Sequence, residues 1–280
     1  MPMIGVMAAL AAALAWTTAS GLWRSLSDQG SALQLNALKN GLATLLFLPV
    51  LALLPWQDNA AAIAMLLLSG GVGIAAGDSF YLAALRRLGT RRTLTLEAVG
   101  PVLASLGSVM LMRERLGAGA WVGALLVAGA VVLVADSDGP LHRDRQGLAL
   151  GLIAVLCGLS GAFLARQVLI SSDLTPLQTA AVRLLGGWLA LLPLVRARGS
   201  RCSVQSGPTL RIVLATALGT NLGIALQQLV FQTMPVGPGV TLMSTAPVMA
   251  LVAGRFEGDP IQPRGVLAAV LAVAGVACSV

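Results

Sequence analysis

Apolar runs of membrane-crossing length recur along the chain, parted by short polar segments. A helix of about 20 apolar residues, rising 1.5 Å per residue, spans the roughly 30 Å hydrocarbon core of a bilayer. The pattern predicts spans at Met3–Trp23, Gln34–Leu54, Ala60–Leu85, Thr93–Met112 and Gly117–Val134. It continues with Gly147–Ala165, Pro176–Val195, Leu210–Phe231, Gly237–Gly254 and Gly265–Val280. The most polar segment, Asp136–Gln146, separates the two sets, and Arg196–Pro208 is the other long hydrophilic loop. The expected fold class is an all-α integral membrane protein of about ten transmembrane helices. Residues 1–135 form its first unit, 136–146 a linker and 147–280 its second.

The two sets repeat each other. Gly73, Gly77, Thr95, Pro101, Gly119 and Gly129 each have an identical residue 146 positions later: Gly219, Gly223, Thr241, Pro247, Gly265 and Gly275. Each copy has an odd number of crossings, so the two lie upside down relative to one another. Inverted five-helix repeats of this kind are the sequence mark of alternating-access carriers. Loop charge agrees with inversion. Arginine concentrates in the loops after helices one, three, five, seven and nine, among them RRLGTRR at 86–92. The opposite loops carry only Arg113, Arg115 and Arg166. The positive-inside rule then makes the RRLGTRR side cytoplasmic and puts both termini outside.

Composition narrows the class further. The chain is 57% hydrophobic and 10% charged, with mean hydropathy +0.87, which leaves a soluble domain without a polar coat. The net charge of +7 is scattered over loops that meet anionic headgroups, with no basic stripe for nucleic acid. Cys157, Cys202 and Cys278 lack paired spacing and His142 stands alone, so no metal and no cofactor is expected. No HExxH, GxSxG or intramembrane Ser/His pairing points to an enzyme. The first apolar run starts at the third residue without a basic leader and reads as a retained helix.

The glycines read as packing devices. GGVGIAAG at 70–77 contains a GxGxxA string, but a dinucleotide fingerprint needs a strand turning into a helix, and this one lies within an apolar helix. The pairs Gly73/Gly77, Gly219/Gly223, Gly119/Gly123 and Gly147/Gly151 instead let helix backbones approach closely. Pro101 and Pro247, at equivalent points of helices four and nine, each remove a backbone hydrogen bond and are candidate hinges.

Ionisable and polar groups inside apolar spans are functional candidates, because burying them unpaired costs several kcal/mol. The positions equivalent to Asp78 and Glu97 in the other copy are Ile224 and Met243, so neither acid has an acidic counterpart there. That suits proton or ion coupling, which needs such a group only once. Glu97 also fits a place in the first turns of helix four, paired with Arg91 or Arg92. Lys39 and Arg183 occupy corresponding places on helices two and seven, with Gln34 and Gln178 about a turn earlier. The two cations either snorkel to headgroups or face inward to bind an anionic group or neutralise the acids. Tyr81, Gln227, Gln228, Asn221 and Trp16 are further candidates for a cavity wall. Trp23, Trp56, Trp121 and Trp188 fit interfacial anchoring.

The stretch Ala84–Val134 has an "AL" ending helix three, a proline inside helix four, a short loop with Glu114 and a glycine-spaced fifth helix. It resembles the EamA-type repeat of the drug/metabolite transporter superfamily. The second half has Pro247 but places Pro260 where Glu114 stands in the first. The resemblance implies a ten-helix carrier exporting amino acids or related small metabolites, with both termini in the cytoplasm, opposite to the loop-charge reading. The expected function is alternating-access export of a small polar or zwitterionic metabolite across a bacterial inner membrane. Its partners would be the lipid bilayer, the small-molecule substrate and a coupling proton or ion. Nucleic acid is not among them, and oligomeric state stays open. Efflux of lipophilic cations, exchange of sugar phosphates or nucleotide-sugars, and a non-transporting membrane scaffold are the alternatives.

Overall fold

The computed structural model describes residues 2–24, 32–135, 144–197, 209–249 and 263–279. All regular structure among them is helical. In the first half, α1 (Pro2–Arg24), α2 (Ala32–Leu46) and a short α3 (Leu48–Ala52) precede α4 (Ala60–Gly70). A wide π-helical turn, π1 (Gly71–Ala76), joins α4 to α5 (Gly77–Glu97), followed by α6 (Gly100–Met110) and α7 (Ala118–Ala135). The second half holds α8 (Arg145–Ser171), α9 (Pro176–Ala197), α10 (Thr209–Ala215), π2 (Thr216–Leu222), α11 (Gly223–Thr233), α12 (Val236–Met243) and α13 (Pro263–Ser279). Among the described residues, four helical stretches are long and apolar enough to cross a membrane: Ala60–Leu88, Arg145–Ser171, Pro176–Ala197 and Leu210–Thr233. Shorter apolar helices accompany them.

Residue size is sorted by depth. Alanines such as Ala9, Ala12, Ala43, Ala104, Ala124, Ala165 and Ala180 are fully buried, whereas Met3, Leu53, Met110, Leu125 and Val273 lie on the outside. Lipid is as apolar as leucine, so helices gain by close backbone packing through small residues while large ones face the tails. The glycine pairs carry this packing. A Cβ on Gly73 would lie 3.1 Å from Gly161 Cα on α8, and one on Gly275 2.9 Å from the Gly123 carbonyl oxygen. A Cβ on Gly219 would meet Ala19, and one on Gly223 would meet the Trp16 indole. Each half packs largely on the other: α4, π1 and α5 lie against α8, while π2 and α11 lie against α1.

Two expected boundaries are corrected. The RRLGTRR stretch, expected to be a loop, is helical backbone, and α5 continues through it to Glu97. Its residues other than Gly89 are no strong helix breakers. Glu97 therefore closes α5 instead of opening the next helix. Arg166, counted above as a loop charge, lies within α8, which runs on to Ser171. Ser172 is the extended residue that ends it.

Both prolines stand just beyond a break in the helix. Pro101 has no N–H to donate to the Glu97 carbonyl, and Pro247 none for Met243. α5 stops at Glu97 and α12 at Met243; turns follow at 98–99 and 244–245, and helix then resumes. The wide turns are also paired: π1 over 71–76 and π2 over 216–222 overlap when shifted by 146 residues. Part of the linker, His142, Cys202 and Pro260 lie outside the described residues.

Candidate functional site

The polar groups of α2 lie on one face. Asn36, Asn40 and Thr44 are buried, and Asn40 Nδ2 donates to the Asn36 backbone and side-chain oxygens at 2.9 and 2.8 Å. Asn36 Nδ2 reaches Ser79 Oγ at 3.4 Å on α5. Beside them Lys39 Nζ lies 2.6 Å from Asp78 Oδ2. Asp78 occupies the first turn of α5, immediately after π1. The pair is partly open, with side chains 24% and 37% exposed. Lys39 thus turns inward to an acid of the same half.

Arg183 sits deeper. It is 3% exposed on α9, and its Nη1 donates to Gln227 Oε1 on α11 at 3.2 Å. Gln228 Nε2 donates to the same oxygen at 3.3 Å. Arg183 Nε and Gln228 Oε1 are buried without a hydrogen-bond partner. Gly73 lies beside the guanidinium, where a Cβ would stand 3.4 Å from Nη2. Asp78 is within electrostatic reach of Arg183, and Glu97 and Asp78 are both within reach of Tyr81. Glu97 is crowded by neighbouring atoms yet keeps accessible surface. Among the described residues its carboxylate has no hydrogen bond or ion pair.

One cluster therefore gathers Lys39, Asp78, Tyr81, Glu97, Arg183, Gln227 and Gln228 from α2, α5, α9 and α11. Lys39 and Asp78 neutralise each other, which leaves Arg183 and Glu97 as the charges without an ionic partner. In an apolar surround such groups attract a ligand of complementary charge.

The other candidates have different work. Asn221 in π2 donates to the Ala43 carbonyl at 2.9 Å and ties π2 to α2. Trp16 seats its indole on Gly223, and Trp188, expected at the interface, seats its own on Gly41. Gln178 closes a capping box at the start of α9: its Oε1 accepts from Thr175 N at 2.9 Å, and its N donates to Thr175 Oγ1 at 3.3 Å. Gln34 is half-buried on α2. Sequence reasoning missed Asn36 and Asn40, although polar residues one turn apart on an apolar helix were a readable signal. It also missed the Thr-x-x-Gln box at 175–178. A separate groove of about 420 Å³ between α6 and α7 is lined by apolar residues including Ala98, Val99, Val102 and Leu103, so polar cargo has no anchor there.

A two-copy, all-helical membrane bundle with charges gathered between its halves defines a polytopic membrane transporter. The chain belongs to the EamA-like transporter family, whose family model matches residues 3–135 and again 145–280. A solved structure described as "Crystal structure of protein" shares the fold at TM-score 0.78 and 17% identity, over 98% of this chain and 95% of its own. No curated protein matches the chain.

Proposed function

We propose that the protein is a secondary-active carrier of ten helices in two inverted five-helix repeats, exporting a small zwitterionic metabolite of the amino-acid type across a bacterial inner membrane. Residues 1–135 and 147–280 are the two repeats. The observation that carries this reading is the cluster at their junction, where Arg183 is buried with Nε unpartnered and Glu97 stands open. Arg183 holds the substrate carboxylate and Glu97 the ammonium. Tyr81, Gln227 and Gln228 line the site, while Lys39–Asp78 supplies a second, self-neutralised pair. Glu97 is the better coupling group, because Asp78 already has a cation. The helix breaks before Pro101 and Pro247 let α6 and the segment after α12 swing against the rest.

Lipophilic-cation efflux is disfavoured by the buried Arg183, which would repel the cargo at close range. Proteoliposomes loaded with labelled amino acids or cationic dyes test the reading. Amino-acid flux that is driven by a proton gradient, abolished by Arg183→Gln and uncoupled by Glu97→Gln supports it. Dye flux without amino-acid flux, or full gradient-driven flux in Glu97→Gln and Asp78→Asn alike, overturns it. A reporter fused to the C-terminus fixes orientation: activity outside follows the loop charges, activity inside the family pattern.

A further inference from the structure

At one end of the bundle, three chain segments meet at a single guanidinium. Arg166 on α8 donates through Nε and Nη2 to Glu114 Oε1, at 3.2 and 3.0 Å. Its Nη1 donates to the carbonyls of Phe231 and Gln232, in the last turn of α11. The two charged side chains are only 13% and 14% exposed. Glu114 follows α6 and is aimed by an unusual backbone: Arg113 has a φ of 54°, the left-handed region that a non-glycine residue adopts at a cost. Glu114 N donates to the Ser108 carbonyl at 3.0 Å, and Ser108 Oγ accepts from Gly237 N at 2.9 Å. That bond brings in the start of α12, whose Gly237 leaves no room for a Cβ beside Ser105 Cα. The ends of α6 and α11, the body of α8 and the start of α12 are thus tied together, first half to second.

The sequence withholds this arrangement from the equivalent positions. Shifted by 146 residues, Glu114 falls on Pro260 and Arg166 on Ser20. Neither can carry the pair. Inverted halves build their two mouths from equivalent positions, so the Glu114–Arg166 pair itself is not repeated at those positions of the other mouth. A pair this desolvated is costly to break, since either charge left alone would remain buried.

We infer that Glu114 and Arg166 form an ionic gate that closes the mouth at the α6–α11 end and biases the carrier towards opening on the opposite side. The inference rests on the alternating-access reading. Closing requires the Glu114–Arg166 bond and the two carbonyl bonds together; opening that mouth requires α6 to leave α8 and take Glu114 with it. Neither residue touches the charged cluster, so they act through the position of the helices.

The test reads accessibility and needs no substrate. A single cysteine replacing Tyr81, with Cys157, Cys202 and Cys278 changed to serine, is labelled by a membrane-impermeant maleimide in right-side-out and inside-out vesicles. Glu114→Gln and Arg166→Gln are expected to raise the labelling rate about tenfold from the gated face, the equivalent of ~1.4 kcal/mol. Arg166→Lys, which keeps a cationic donor for both Glu114 and the carbonyls, is expected to stay closer to the parent value than Arg166→Gln. Glu114→Gln stands in where Arg166→Gln fails to assemble. Unchanged labelling from both faces in a folded Glu114→Gln protein overturns the gate. So does equal acceleration from both faces, which marks loosened packing. Absence of amino-acid flux in the parent protein counts against the proposed cargo alone, because the labelling asymmetry is read independently.

Discussion

Lys39 and Asp78 meet at 2.6 Å across the contact between α2 and α5, so the inner cation of the first half is already answered by an acid of the same half. Removing one partner leaves the other unpaired in a low-dielectric site. Asp78→Asn should lower stability by about 1–3 kcal/mol, less than a fully buried pair would lose because both groups keep some water. The double variant Lys39→Met/Asp78→Asn should recover most of that loss, since no lone charge remains. Thermal unfolding in detergent decides. A single variant as stable as the parent would show that the pair contributes nothing to the fold.

Gly70 sits directly against the Arg183 carbonyl oxygen, and its missing side chain is what lets α4 approach α9. Gly70→Ala must push the two backbones apart and should cost about 1–3 kcal/mol. Gly129 has open space where a Cβ would go, so Gly129→Ala should be neutral or slightly stabilising. Comparing the two in one unfolding assay separates close packing from helix propensity.

Pro101→Ala and Pro247→Ala each restore an N–H able to bond the carbonyl four residues back, at Glu97 and Met243. Both should leave the protein folded and slow transport at least several-fold, because a continuous helix no longer bends at that point. Rates in proteoliposomes set beside melting temperatures check this. Parent-like transport in both variants would remove the prolines from the mechanism.

Asp144 caps α8, accepting from Gly147 N at 2.9 Å while Arg87 Nε lies 3.0 Å away. The backbone bond first, and then Arg87, favour the charged form and hold the carboxyl below its ordinary range. A lowered folded-state value means that the stabilisation is present above the unfolded pKa and fades as pH falls through the folded one, below about pH 4. Asp144→Asn keeps a cap but not the charge, so its melting temperature should depend less on pH there. Asp144→Ala should be the least stable of the three at neutral pH.

Much of the scaffold was readable because membrane packing uses few signals. Gly73 rests on Gly161, Gly275 on Gly123, and Pro101 and Pro247 end their helices at matched residues. These follow from backbone sterics, which sequence carries openly. The charged cluster was readable in its members but not in its pairing. Which acid Lys39 meets depends on how α2 lies beside α5, and no local pattern encodes that. Arg166 was misread for a related reason: a charge near a helix end looks solvated until the neighbouring helices are known to cover it. Gln178 erred in the other direction, since the box it forms with Thr175 was local and legible.

The wide turns π1 and π2 have a consequence for chain length. A π turn takes up one residue more than an α turn, so every side chain beyond it is shifted in phase by about 100°. Asp78 and Tyr81 follow π1 closely, and Gln227 and Gln228 follow π2. Deleting Val72 would turn Asp78 and Tyr81 off their present face, while replacing Val72 by another apolar residue would leave them in place. This stretch of each half is constrained by its count of residues as strictly as by their kind.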